Sequence, residues 1–118
     1  MSIPEQLLIY AYTMTARTHS QERSITEDEA ARVSEIFRAL GDTRRVAILA
    51  ALLKGEKSVG SLARLVGISD SAVSHHLRGL RQMHLVRGRK AGRQVYYRLD
   101  DEHIADLLLR GLDHVRHP

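Results

Sequence analysis

The segment SVGSLARLVGISDSAVSHHLRGLR, residues 58–81, leaves this chain few ways to fold. Leu62, Leu65 and Val66 give a first short helix one apolar edge at helical spacing. Gly67 stops it, because glycine takes the left-handed backbone of a helix end at little steric cost. Ser69 then stands where its hydroxyl caps a second helix. In that helix Val73, Leu77 and Leu80 form the edge predicted to be buried, and Ser71, Ser74, His75, Arg78 and Arg81 lie on the opposite face. Small or cationic donors on the outer face of a helix held by one stripe suit the DNA major groove. An ordinary surface helix hairpin has the same periodicity, so these residues alone leave both readings open.

The residues that follow favour DNA. HLVRGRKAGRQVYYRL, residues 84–99, reads as two extended runs around a glycine-bounded turn. Val95, Tyr97 and Leu99 alternate with Gln94, Tyr96 and Arg98, which is strand periodicity. Gly88, Lys90 and Gly92 are placed at the tip, with Arg87, Arg89 and Arg93 beside them. An exposed hairpin this cationic packs poorly on protein and lies well along phosphates. A helix-turn-helix followed by a basic hairpin is a winged helix, mainly α with a small β-hairpin wing.

Charge along the chain supports the same partner, double-stranded DNA. Residues 43–99 hold twelve Lys and Arg against Glu56 and Asp70, net +10, while residues 1–42 and 100–118 are each net −3. Segregation of this kind marks a polyanion-binding face between acidic flanks. The absence of cysteine excludes disulfides, thiolate metal sites and thiol redox sensing. No apolar run approaches the length of a membrane span, and the start lacks the charged region and cleavage site of a signal peptide, so a cytoplasmic protein with no membrane partner is expected.

At 118 residues the chain is long enough for one modest core. Residues 1–24 read as a partly ordered N-terminal extension, and residues 25–118 as the winged-helix DNA-binding and dimerisation domain. Thr26 and Glu29 fit a capping box, followed by Val33, Ile36, Phe37 and Leu40 at core-facing spacing and a stop at Gly41. Asp42 is placed to cap the next helix, whose Val46, Leu49, Leu52 and Leu53 are predicted to lie inward. That helix is apolar nearly all round, which predicts the most buried position.

The last predicted helix runs from Asp101 to about Arg116 and carries a broad stripe of Ile104, Leu107, Leu108, Gly111, Leu112 and Val115. A terminal helix after a wing has little core of its own to cover, so a second chain is the expected cover. His103, His114 and His117 flank the stripe; at about 100° per residue they point within roughly 60° of one another. Yet His103 and His114 stand about 16 Å apart along the axis, against Zn–N bonds of about 2 Å, so they do not share an ion within one chain. An antiparallel pair of helices brings Asp101 and His103 of one chain to His114 and His117 of the other, giving two symmetry-related sets of three nitrogens and one oxygen. Such a set suits Zn(II), and Co(II) fits the same cage. Ni(II) prefers more ligands, for which His19 is one candidate. Taken singly, a histidine near a terminus more often meets only water.

From about Phe37 to His117 the chain resembles the ArsR/SmtB family of bacterial metal-responsive repressors. FRALGDTRRVAILAAL is similar to the family's F-x-A-L-x-D-x-T-R-x-x-I-L opening, one residue shorter at GDTRR. ISDSAVSHHLRGLRQMHLV resembles its recognition helix, and GRQVYYRL its second wing strand. The resemblance implies a homodimer held through its first and last helices. It also implies that D-x-H-x10-H-x2-H, standing here as Asp101, His103, His114 and His117, is a zinc-sensing site on the last helix. It further implies an allosteric route in which His114 ligates zinc through one nitrogen and reaches the carbonyl of His84 through the other. Two departures stand out. Family members that sense arsenite, cadmium or lead use cysteines around residues 56–62, where this chain reads EKSVGSL. Many relatives also carry glutamine where Asp70 stands, and a carboxylate accepts from cytosine rather than donating to guanine.

Three functions follow from these residues. One is a repressor released from operator DNA by zinc or a similar divalent metal, with a nickel or cobalt sensor as its variant. The second is a winged-helix regulator without metal control. The third, a metal-dependent hydrolase, needs an open coordination position and a neighbouring base. Four ligands on a dimer seam, with no nucleophile constellation beside them, disfavour an enzyme.

Overall fold

The computed structural model describes residues 4–6 and 24–117. Most of the expected N-terminal extension, His19 included, lies outside the described residues. The chain divides into two units, Met1–Arg32 and Val33–Pro118. In the first unit, helix α1 (Glu27–Leu40) begins on the predicted capping box. The Glu29 N–H donates to Thr26 Oγ1 and the Thr26 N–H to Glu29 Oε1, both at 3.0 Å. One turn on, Arg32 pairs with Asp28 at 3.1 Å.

The second unit holds the end of α1 and then α2 (Thr43–Leu52), β1 (Lys57–Ser58), α3 (Val59–Val66), α4 (Asp70–Gln82), β2 (Val86–Ala91), β3 (Gln94–Leu99) and α5 (Glu102–Arg116). Side-chain caps start α2 and α4 as the sequence predicts. Asp42 accepts from the N–H groups of Arg44 and Arg45, at 2.9 and 3.1 Å, and Ser69 accepts from Ala72 at 3.0 Å. Gly67, at φ 79°, ends α3 in the left-handed conformation. The three strands form an antiparallel sheet in the order β1-β3-β2. The result is a winged helix-turn-helix, mainly helical with a small sheet.

Ile48, Leu49 and Leu52 of α2 pack with Leu62 and Ala63 of α3, Val73, Leu77 and Leu80 of α4, Leu85, Val86, Ala39 and Ile104. Each fully buried large aliphatic contributes about 1.5–3 kcal/mol relative to exposure. Among the described residues no polar or charged residue is buried, so the core is wholly apolar.

Four apolar side chains expected inward stand outward: Val33 at 43% exposure, Phe37 at 57%, Val46 at 38% and Leu65 at 61%. On α3 the reason is angular. At about 100° per residue, Leu62, Val66 and Ala63 share one arc of about 100°, and Leu65 falls about 60° beyond its edge. Helix α2 is not enclosed on all sides as expected; Val46, Ala50 and Leu53 instead border an apolar groove with Phe37 and Leu40 of α1 and with Leu107, Leu108, Gly111, Leu112 and Val115 of α5. Its volume is ≈ 380 Å³.

The hairpin differs from its sequence reading in one detail. Gly88 and Lys90 are not at the tip but within β2, opposite Tyr97 and Val95, and the turn is Gly92–Arg93. A Cβ on residue 88 would stand 3.2 Å from Tyr97 Cε1 and 3.3 Å from Val95 Cγ1. Glycine there lets the Tyr97 ring lie across β2. Strand β1, absent from the sequence reading, pairs Lys57 with Tyr97 and Ser58 with Tyr96. Two residues are too few to show any period.

Candidate nucleic-acid interface

Helix α4 is seated by its apolar stripe and fixed at both ends. Beyond its C-terminus His84 takes a left-handed backbone, φ 60°. Its N–H donates to the Arg81 carbonyl at 3.0 Å, and the Leu85 N–H to the Leu80 carbonyl at 2.9 Å. Those two bonds satisfy carbonyls left free by the helix end. From α2, Arg45 Nε–H donates to His76 Nδ1 at 3.3 Å. His76 therefore serves the joint between α2 and α4, a role the His75–His76 pair did not reveal in sequence.

Ser71, Ser74, His75, Arg78 and Arg81 are all exposed, on the face expected. Ser74, Arg78, Arg81 and Gln82 line a polar cleft of ≈ 420 Å³ whose far wall is Tyr97 of β3. A wider cleft of ≈ 740 Å³ adjoins it, lined by Ser58, Val59, Gly60 and Arg64 of the α3 side, Asp70 and Ser74 of α4, and Arg93, Gln94, Val95 and Tyr97 of the wing. Donors from α4 and from the hairpin thus border one continuous polar surface.

The wing cations divide into two groups. Arg87 and Arg89 alternate with Gly88 and Lys90, so the two arginines share one face of the sheet and Lys90 lies on the other, with Tyr97 and Val95. Arg87 Nε meets Asp100 Oδ1 at 2.7 Å. Arg89 forks onto Glu56, with Nη2 at 2.8 Å and Nε at 3.1 Å, and its guanidinium lies 5.4 Å from the Tyr96 ring centre. The hydrogen bond from Arg89 holds the Glu56 carboxyl below the usual range, and each partner carboxylate holds its arginine's pKa above the ordinary value. Lys90 and Arg93 are exposed, and neither forms an ion pair among the described residues.

The expected metal ligands sit at opposite ends of α5. Asp101 is its N-cap and accepts through Oδ1 from His103 at 2.9 Å and Ile104 at 3.2 Å. Burial works against its charged form, but the N–H groups of Ile104 and His103 and the His103 ring together keep its pKa lowered. His103 Nδ1 lies 3.5 Å from the same oxygen. At the other end His117 Nδ1 is 2.7 Å from the Asp113 carbonyl. A carbonyl only accepts, so Nδ1 carries the hydrogen, and in the neutral ring Nε2 is the nitrogen left to ligate. His114 is exposed one turn earlier. Among the described residues no three His, Asp or Glu side chains come together to hold an ion.

Residues 42–87 match the profile of the bacterial regulatory proteins of the arsR family. The chain is 41% identical over 96 residues to the transcriptional repressor SmtB homolog of Synechocystis sp., covering 81% of this chain and 73% of that one. The chain belongs to the ArsR family. It is also 34% identical over 106 residues to the cadmium resistance transcriptional regulatory protein CadC homolog of Staphylococcus aureus, covering 89% of this ArsR chain and 88% of the relative. The solution structure of the homodimeric winged helix-turn-helix DNA-binding domain (fragment 1–100) of Mb0332 from Mycobacterium bovis superposes with a TM-score of 0.69 at 30% identity, over 79% of this chain and 93% of that one. Fold and relatives alike are those of DNA-binding transcriptional regulators, not of enzymes. Among the described residues, no helix of this ArsR protein is long and apolar enough to cross a membrane.

Proposed function

We propose that this ArsR-family protein is a repressor that binds operator DNA as a homodimer and is released by a divalent metal, zinc foremost, held between two copies of α5. The observation that carries the reading is the layout of α5. Asp101 and His103 stand at one end, His114 and His117 at the other, and the groove beside them is lined by α5 itself and by α1 and α2. A second α5 laid antiparallel covers the groove and completes each ligand set with residues of the partner subunit. That the M. bovis domain is homodimeric supports a two-chain assembly.

The donors fit the ion. Asp101 uses Oδ1 for capping, which leaves Oδ2, and His117 has Nδ1–H engaged on a carbonyl, as ligating imidazoles usually do. Three nitrogens and one oxygen suit Zn(II) or Co(II), with Ni(II) the variant that recruits further ligands. The CadC homolog is named for cadmium resistance; this chain has no cysteine, so any ion it senses is held without thiolate. The metal, when bound, supplies a positive centre joining two helix ends of different chains.

On the DNA side Ser71, Ser74, His75 and Arg78 of α4 read the major groove, and Lys90 and Arg93 of the wing meet backbone phosphate. His114, ligating through one nitrogen and reaching the His84 carbonyl through the other, links the metal to the end of α4. A repressor acts at the chromosome, which in a bacterium means the cytoplasm. The test is a titration of operator affinity with Zn, Co, Ni and Cd at fixed salt. Zinc is expected to weaken operator binding by about 5–150-fold, the usual size of allosteric coupling. His114→Ala should bind the operator as the parent does and lose the metal response. If no metal shifts the parent's affinity, the protein is a regulator without metal control.

A further inference from the structure

In sequence the wing is one cationic surface, yet its arginines differ in what they face. Arg87 and Arg89 lie on the sheet face that carries Glu56 and Asp100, and each is held by a carboxylate at 2.7–2.8 Å. The other face turns towards α3 and α4 and borders the ≈ 740 Å³ cleft. Arg64 of α3 and Arg93 of the turn line that cleft from opposite sides, and neither forms an ion pair among the described residues. Arg64 is exposed and folds its guanidinium over Gly60, with Nη1 3.7 Å from where a Cβ would stand. A larger side chain at residue 60 would crowd that position.

We propose that the cleft between α3, the start of α4 and the wing seats an operator backbone phosphate, held by Arg64 and Arg93. Arg87 and Arg89 in turn brace the wing on Glu56 and Asp100 and do not contact phosphate. This rests on the DNA-binding reading above and adds which cations do the binding. Two guanidinium groups outweigh the single carboxylate in the cleft, Asp70, so the site keeps a net positive charge. The forked Arg89–Glu56 contact has fixed geometry, which suits a brace between β1 and β2 better than a free phosphate ligand. Asp70 belongs to the same balance: its charge opposes phosphate, which lowers affinity for every sequence equally.

The number of phosphates a protein neutralises sets how steeply its DNA affinity falls with salt, by about 0.9 per phosphate in the log–log slope. Full-length parent and variants are titrated with operator and with an unrelated duplex from low to high salt. Arg64→Gln should lower the slope by about two units on both duplexes, about 0.9 for each subunit of the dimer, and Arg64→Lys should restore it, since Lys keeps the charge. Asp70→Asn should tighten both duplexes alike. The charge-neutral pair Glu56→Gln with Arg89→Gln should leave the slope unchanged, with circular dichroism showing the fold retained. An unchanged slope in Arg64→Gln, or a loss of about two units in the Glu56/Arg89 double variant, would overturn the assignment. A parent that shows no preference for any operator would instead refute the repressor reading itself.

Discussion

Single residues decide what α4 reads and how firmly its neighbours are set. Ser74 and His75 are exposed on the outer face, away from the buried Val73, Leu77 and Leu80, so truncating them spares the core and, on the proposed reading, costs contacts to DNA. Ser74→Ala or His75→Ala should relax base discrimination by about 1–3 kcal/mol at one operator position. Competition between operator variants measures this, and unchanged selectivity would remove the residue from base reading. Asp42 gives a second prediction. The Arg45 N–H foremost, then that of Arg44 and the charges of His76 and Arg45, hold its carboxyl below the usual range against the opposing effect of burial. A depressed native pKa means the stabilisation is complete above the ordinary carboxylate value of about 3.9 and fades as pH falls through the native value. Asp42→Asn keeps an acceptor oxygen but does not titrate. Urea midpoints of the parent should therefore fall more steeply in acid than those of Asp42→Asn. Parallel profiles would show that the Asp42 charge contributes nothing.

At the scale of elements, α5 serves two masters. Ile104 is buried in its own protomer, while Leu107, Leu108 and Leu112 stay half-exposed on the groove. Leu112→Glu should thus leave the fold intact and give a monomer by sedimentation, with operator affinity lost; a dimer of normal affinity would place the interface elsewhere. Such elements differed in how far sequence exposed them. Helices α3 and α4 were legible because cap, stop and stripe agree within 24 residues, from Ser58 to Arg81. Phe37 and Val46 were not, since an apolar pattern says that a face is covered and not by which chain. Strand β1 was too short for any period. Glu56 is 33 positions from Arg89, so no local pattern links them, although the i, i+2 spacing of Arg87 and Arg89 already put both on one face. Asp101, His103, His114 and His117 were legible as two end pairs on one helix, and the convergence proposed for them needs a partner that no single chain contains.

For the molecule as a whole, the coupling proposed between metal and operator is reciprocal. Whatever factor zinc takes from operator affinity, the operator must take from zinc affinity. Competitive zinc titrations with and without operator should give the same ratio as the DNA titrations with and without zinc; unequal ratios would mean the two ligands do not share one two-state equilibrium. The open groove has a further outcome, in population terms. In the proposed dimer, a hollow of ≈ 380 Å³ walled by aliphatic and aromatic carbon is filled only when two chains meet. Below the dissociation constant of that pair, halving the protein reduces the paired form about fourfold, because its amount follows the square of the monomer concentration. On the proposed reading, a dividing cell that holds the protein below that constant and stops making it frees its operators faster than it dilutes the chain, with no change in metal at all.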